Sequence, residues 1–262
     1  MQQPTLSPPL LFVSDVHLGG FSKAENDRIE AELLQLINYC QRNEIQLAIL
    51  GDLFDYWMEY PHFIPTLGRR LLDRFEEYNR ALGPTLYITG NHDNWTRGHL
   101  ADRGFFIEEE SLKLSLGDRN LLLLHGDGLK EPAYGLARPR MHQLLRSSSF
   151  IRLYQRIFPP RAGLQMMKYF SRLNRWLDRQ SGDGSKLDGW AKQQLSGSKT
   201  DLIIAGHDHI PRRKHFAFGC YINLGTFCTH RTMAYYNKSS FEIVSWKPET
   251  QSLQPFDSTI TK

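Results

Sequence analysis

The chain has 262 residues, 40% of them hydrophobic and 23% charged, which is typical of a soluble globular protein with a full core. No apolar run reaches the length of a signal peptide or a membrane span, so we expect a cytoplasmic protein. The three cysteines, Cys40, Cys220 and Cys228, lack C-x-x-C spacing, which argues against a disulfide framework and a zinc ribbon.

Net charge is +4, but the basic residues are concentrated in one segment. Between Lys130 and Arg179, eleven lysines and arginines stand against two acidic residues, so this segment carries +9 and the remainder −5. This distribution predicts a local anionic partner rather than nucleic acid.

Short apolar runs and helical periodicity predict the elements in chain order. They are a strand at 10–13, a helix from Ser22, a strand at 47–50, a helix over 64–82, a strand at 85–89, a hairpin of 111–116 with 121–124, and strands at 201–205, 220–224, 232–236 and 241–246. We interpret the chain as a single α/β domain over 1–262. Its core is predicted at 1–128 and 186–250, a basic helical insertion at 129–185 is called the lid, and 251–262 is a loose tail.

Five of the predicted strands end in side chains that can bind a metal ion. These are Asp15 with His17, Asp52, Asn91, His125, and His207 with His209. Residues two apart on a strand face the same way, so D-x-H and H-x-H each direct two ligands to one place. Oxygen and imidazole donors without a thiolate suit manganese, iron or zinc. A single such residue is typical of a turn, but five glycine-marked repetitions predict a dinuclear centre bridged by Asp52.

Five other histidines lack this context, and we interpret them as surface or core residues. They are His62, His99, His142, His215 and His230.

The blocks D-x-H, G-D-x-x-D, G-N-H-D, H-G-D and G-H-x-H occur in this order between Phe12 and His209. In all five blocks the chain resembles the calcineurin-like metallophosphoesterases. The resemblance implies a two-sheet β-sandwich core flanked by helices. It also implies two metal sites, one formed by Asp15, His17, Asp52 and His209, the other by Asp52, Asn91, His125 and His207.

The resemblance implies metal-dependent phosphoester hydrolysis, with manganese as the expected metal. Two divalent ions lower the pKa of a bound water and neutralise charge on the phosphoryl oxygens. His92 follows Asn91, and we expect both to contact the substrate and His92 to protonate the leaving oxygen. Asp55 is expected to orient His92; the alternative for Asp55 is a helix cap.

The lid contains an amphipathic helical pattern from Met166 to Leu177. Its apolar face is formed by Met166, Phe170, Leu173 and Leu177, and its basic face by Lys168, Arg172, Arg175 and Arg179. Such a helix is typical of a membrane-surface element or of the wall of an acyl pocket. The alternative is a helix that packs on the core and leaves its basic face in solvent.

Within the superfamily the chain is most similar to the UDP-2,3-diacylglucosamine pyrophosphatases. The similarity lies in L-F-V-S-D-V-H-L, G-D-L-F-D-Y-W, and H-G-D-G-L followed by Tyr134, which is expected to contact substrate. It implies a lipid-linked nucleotide-sugar substrate, cleaved to UMP and a lipid phosphate at the inner membrane surface. His92 stands where the best-known form of that enzyme has arginine. The alternatives are a soluble metallophosphoesterase for another phosphodiester or nucleotide, and a non-catalytic interaction protein.

Overall fold

The computed structural model describes residues 6–131, 135–178 and 184–256, without the side chains of 172–178. The strands are β1 Leu10–Val13, β2 Gln46–Leu50, β3 Thr85–Ile88, β4 Phe105–Glu108, β5 Ser111–Leu116, β6 Arg119–Leu124, β7 Leu202–Ala205, β8 Arg212–Phe216, β9 Gly219–Asn223, β10 Thr232–Tyr236, β11 Phe241–Lys247 and β12 Ser252–Pro255. The helices are α1 Lys23–Arg42, α2 Arg69–Leu82, α3 His99–Asp102, α4 Arg140–Arg146, α5 Ser148–Ile157, α6 Pro160–Asp178, α7 Ser185–Gly197 and α8 Phe227–His230.

The strands form two sheets. The first sheet has the order β12-β11-β10-β1-β2-β3-β4, and the second has the order β5-β6-β7-β9-β8. Strands β1 to β4 are parallel to one another, as are β6, β7 and β9, whereas the other strand pairs are antiparallel. The predicted two-sheet α/β architecture is confirmed.

Each sheet is covered on both faces, which explains why the central parallel strands β1, β3 and β7 are buried along their whole length. On β1, Leu10 and Phe12 pack between the two sheets, whereas Leu11 and Val13 pack in the cluster that contains residues of α1 and α2. On β7, Ile204 faces the inter-sheet core and Ile203 packs with α7. The alternation has the period of two that a strand requires, and the result is a helix–sheet–sheet–helix stack.

The helix predicted over 64–82 begins only at Arg69. Gly68 stands at its N-cap with a φ of 64° in the left-handed region, which ends the preceding loop. Because α2 is the next helix after β2, Asp55 lies in a loop and the helix-cap interpretation of Asp55 is wrong.

The lid is joined to the core by an apolar cluster. Its buried members are Met58, Tyr60, Trp95 and Tyr154, and its partly buried members include Phe150, Phe158, Leu164 and Met166. Met166 therefore packs inward, as the packing alternative predicted, whereas Phe170 on the same helix is 48% exposed. Arg179 lies outside the described residues, and the side chains of 172–178 are not described. Within the described ranges, no helix has the length and hydropathy needed to span a membrane.

Residues 252–255, predicted in a loose tail, form β12 instead. This strand pairs antiparallel with β11 and covers its outer edge, with Leu253 opposite Trp246. Leu253 packs against the core cluster that contains Trp246, whereas Gln254 is exposed. The alternation is too short and too polar to be recognised in the sequence, so pairing with β11 decides the conformation.

The β12 strand makes a stability prediction. Leu253→Ser should lower the free energy of unfolding by about 1–2 kcal/mol, because it removes apolar contacts with the core. Gln254→Ser, on the opposite face, should change it by less than about 0.5 kcal/mol. Urea unfolding of both variants measures this difference, and equal values would mean that β12 adds no stability.

Candidate metal centre

The predicted ligands follow the carboxyl ends of strands in both sheets. Asp15 and His17 follow β1, Asp52 follows β2, Asn91 follows β3, His125 follows β6, and His207 and His209 follow β7. Strands β1, β2 and β3 are parallel neighbours, as are β6 and β7. The carboxyl ends of parallel strands meet at one edge of a sheet, and here the edges of the two sheets adjoin.

The backbone is strained at this place. Asp15, His17, Asp52, His207 and His209 have φ values of 51°, 51°, 54°, 73° and 63°, in the left-handed region. A non-glycine residue in this region costs about 1–3 kcal/mol, and such residues cluster at functional sites. The loops after β1 and β2 hold one another, since the amides of Asp15 and His17 donate to the carbonyls of Gly51 and Asp52 at 3.1 and 2.9 Å.

A first group of donors surrounds Asp15. His209 Nε2 lies 3.1 Å from Asp15 Oδ1 and 3.2 Å from His17 Nε2. His17 Nε2 is in turn 3.7 Å from Asp15 Oδ1 and 3.8 Å from Asp52 Oδ2. One ligand atom from each of Asp15, His17 and His209 lies within 4.8 Å of the others, as a metal site requires.

A second group surrounds the other side of Asp52. His125 Nε2 lies 3.3 Å from Asp52 Oδ2 and 3.1 Å from Asn91 Oδ1. His125 Nδ1 donates to the Leu50 carbonyl at 2.9 Å, an arrangement that orients metal-binding imidazoles and leaves Nε2 facing the group. Burial and the charge of His125 lower the pKa of His207 to about 4, so its ring is neutral. Asp52 thus touches both groups, as a bridging ligand would.

Three glycines make room for the ligands. A Cβ atom on Gly90 would lie 2.6 Å from both Cγ and the main-chain nitrogen of Asp52, and one on Gly51 would lie 2.7 Å from Cγ of His125. A Cβ on Gly206 would lie 2.8 Å from Cβ of Ser14, beside Asp15. The strand ends therefore approach closer than any other residue type permits.

The buried carboxylates of the site are stabilised by positive charge. Burial alone would raise the pKa of Asp15 and Asp52, yet the charges of His209 and His125, respectively, hold both values well below the usual range. Against the effect of burial, the same carboxylates raise the pKa of His17 to about 9 and that of His125 to about 10. Divalent cations would supply this positive charge in place of the imidazole protons, so the donor set fits a pair of them.

His92 lies beside both groups and is held by Asp55. Its Nδ1 donates to the main-chain carbonyl of Asp55 at 2.9 Å, and its amide donates to Asp52 Oδ1 at 3.0 Å. The Asp55 carboxylate accepts from Ser171 Oγ of α6 at 2.6 Å and lies 3.5 Å from His17 Nδ1. Ser171 Oγ is also 3.3 Å from His92 Nδ1. Ser171 thus connects the lid to Asp55 and His92, which the sequence predicts to act together. Sequence reasoning missed Ser171.

Arg146 at the end of α4 is a second lid residue that sequence reasoning missed. Its guanidinium donates to the Thr89 and Gly90 carbonyls at 3.2 and 2.8 Å and to Asp127 Oδ2 at 3.1 Å. His142, one turn earlier, lies 3.9 Å from the same Asp127 oxygen. His142 and Arg146 are four residues apart on a basic helix, which was the available signal in the sequence. This spacing does not identify Asp127 as their partner. Tyr134 lies outside the described residues.

Comparison with known proteins agrees with this arrangement. The family model of the calcineurin-like phosphoesterases matches residues 8–211, more than half of the chain. Three similar proteins each bear the name UDP-2,3-diacylglucosamine hydrolase. That of Edwardsiella ictaluri is 28% identical over 231 residues, 85% of this chain and 86% of that protein. That of Coxiella burnetii is 25% identical over 211 residues, covering 77% and 80%, and that of Porphyromonas gingivalis is 28% identical over 119 residues, 45% of each.

The close approach of Gly90 to Asp52 makes a prediction about metal binding. Gly90→Ala should weaken manganese binding by about 10- to 100-fold, because the new methyl group displaces Asp52. Gly189→Ala in α7 is the matched control, since a Cβ there meets nothing within 4 Å. Titration of the metal-free proteins with Mn²⁺ by calorimetry measures the difference. Wild-type affinity in Gly90→Ala would contradict the role of Asp52.

Proposed function

The chain belongs to the calcineurin-like phosphoesterase family, and we propose that it cleaves the pyrophosphate of UDP-2,3-diacylglucosamine to UMP and a lipid phosphate. Membership of the family makes it a metal-dependent hydrolase. The observation that carries the proposal is the convergence of carboxylate and imidazole donors on both sides of Asp52. The name that these relatives share supports the choice of substrate.

The chain offers two ligand sets that share Asp52. Asp15, His17, Asp52 and His209 would hold one ion, and Asp52, Asn91, His125 and His207 the other. When bound, divalent ions lower the pKa of water and neutralise charge on phosphoryl oxygens. Manganese is the proposed metal, and iron and zinc suit the same donors.

His92 is the proposed proton donor to the leaving oxygen. Its Nδ1 proton is committed to the Asp55 carbonyl, so Nε2, which lies 4.0 Å from Asp52 Oδ2, is the atom that faces the ligands. Asp55 and Ser171 fix the ring from the opposite side. Asn91 and His92 are therefore placed to contact the phosphate, and the doubly protonated ring of His92 would deliver the proton from Nε2.

The lid is proposed to bind the lipid half. Among the described residues, eight large hydrophobic side chains are exposed, and six of them belong to the lid. They are Met141, Leu144, Leu153, Ile157, Tyr169 and Phe170. Tyr169 and Phe170 directly precede Ser171, which touches Asp55. Exposed apolar side chains on a basic segment suit acyl chains and the anionic surface of a membrane, so we propose peripheral contact with the cytoplasmic face.

The substrate assignment is tested by comparing two nucleotide sugars. With manganese, UDP-2,3-diacylglucosamine should release UMP much faster than UDP-N-acetylglucosamine. Asp52→Ala should slow release by at least about 10²-fold, since the shared ligand is lost, whereas Asp118→Ala in the exposed β5–β6 turn should not. Equal or absent turnover of both sugars, with hydrolysis of bis(p-nitrophenyl) phosphate retained, would favour another phosphodiester or nucleotide as the substrate.

The proposed acyl contact is tested on the lid. Replacing both Tyr169 and Phe170 by Gln should raise KM for the acylated substrate by about tenfold, because about 1–3 kcal/mol of apolar contact is lost. Phe218→Gln is the control, an exposed phenylalanine at the β8–β9 turn, outside the lid. An equal rise in KM for bis(p-nitrophenyl) phosphate would assign these side chains to the structure of the lid alone.

A further inference from the structure

A cavity of about 810 Å³ lies between the lid and the segment 94–97, which follows the Gly90–Asp93 block. Asn94, Thr96, Gln143 and Ser148 line it with amide and hydroxyl groups. Such a volume is ample for a small organic ligand. Trp95 and Ile151 also line the cavity, but its charged and hydrogen-bonding side chains distinguish it from the exposed apolar surface of α6.

The charges of this cavity favour an anion. Five cationic side chains line it against three glutamates. Arg138 pairs with Glu110, and Arg146 pairs with Asp127. The other cations of the wall, Arg97, Lys130 and Arg152, outnumber Glu59 and Glu109, and Arg152 donates to Ser149 on its own helix. The wall therefore combines cations with hydrogen-bonding groups, as recognition of a nucleotide requires.

The cavity adjoins the metal centre through Arg146. This residue lines the cavity, and its guanidinium bonds to the Gly90 carbonyl at 2.8 Å and to Asp127 at 3.1 Å. Gly90 directly precedes the ligand Asn91, and Asp127 stands two residues after the ligand His125. The same side chain therefore lines the cavity and contacts the two loops that carry Asn91 and His125.

The two sides of the centre have opposite character. Ser171 brings α6, with its exposed aromatic side chains, to Asp55 and His92, whereas Arg146 brings the polar cavity to the Gly90 loop. We propose that the cavity binds the nucleoside monophosphate half of the substrate while the acylated half lies along α6. This inference rests on the proposed function, because it divides that substrate at the pyrophosphate.

The proposal is tested by filling the cavity. Ser148→Trp at the exposed start of α5 and Gln143→Trp on α4 each place an indole in it. Manganese-loaded wild type should bind UMP at least about tenfold more tightly than inorganic phosphate, and both variants should lose most of this preference while keeping their affinity for phosphate. Ser196→Trp, on the exposed face of α7, is the matched control and should keep the preference.

Each other outcome is decisive. An unchanged preference for UMP in both cavity variants would overturn the proposal, as would a selective loss of glucosamine 1-phosphate binding, which would assign the cavity to the sugar half. Release of UMP from UDP-2,3-diacylglucosamine by the same wild-type preparation distinguishes failure of the nucleotide site from failure of the proposed function. If UMP is released but both tryptophan variants keep the preference for UMP, the nucleotide site is wrong and the proposed function stands.

Discussion

The structure depends on the burial of two carboxylates where the two sheets adjoin. Asp15 and Asp52 are completely enclosed, 0% and 1% exposed, and burying an unpaired charge is far more costly than any local strain. Histidines from both sheets surround them, and glycines let the strand ends approach. The left-handed backbone at the ligand residues persists because the surrounding strands and their cross-loop hydrogen bonds leave no other arrangement. The strained backbone lowers the stability of the fold at this edge of the sheets, and it allows the metal-binding side chains to converge there.

The features that could be predicted from the sequence are those that local signals encode. The ligand residues follow apolar runs of four or five residues and are marked by glycine, so their convergence was predictable once the strands were taken as parallel. Ser171 and Asp55 are 116 residues apart, and Arg146 and Gly90 are 56 apart. No periodicity or spacing predicts which lid residue meets which loop. For the same reason β12, whose pairing with β11 decides its conformation, was mistaken for a tail.

The lid is attached by polar and apolar contacts of different kinds. Asp127 interacts with Arg138 and Arg146, and Arg138 pairs with Glu110, so the base of the lid is joined to the H-G-D block by buried charges. Removing one partner of such a network leaves another charge buried and unpaired. The aromatic cluster around Trp95 and Tyr154 attaches the same helices to the loops after β2 and β3 by packing. The lid helices are thus part of the core's support for the site.

The proposed substrate, a pyrophosphate that joins a polar half to an apolar half, would need a division of labour between the core and the lid. Strand ends hold the candidate ligands, and groups that act on phosphorus need rigid placement within fractions of an ångström. Recognition of the two halves would need surfaces of opposite polarity on either side of that point, and both occur on a single helical insertion. One of its helices carries Arg146 into the wall of the cavity, and another carries exposed aromatic side chains next to Ser171, which contacts Asp55 and His92. In the proposed function, specificity therefore depends on long-range contacts of the lid, while the reaction depends on short sequence blocks.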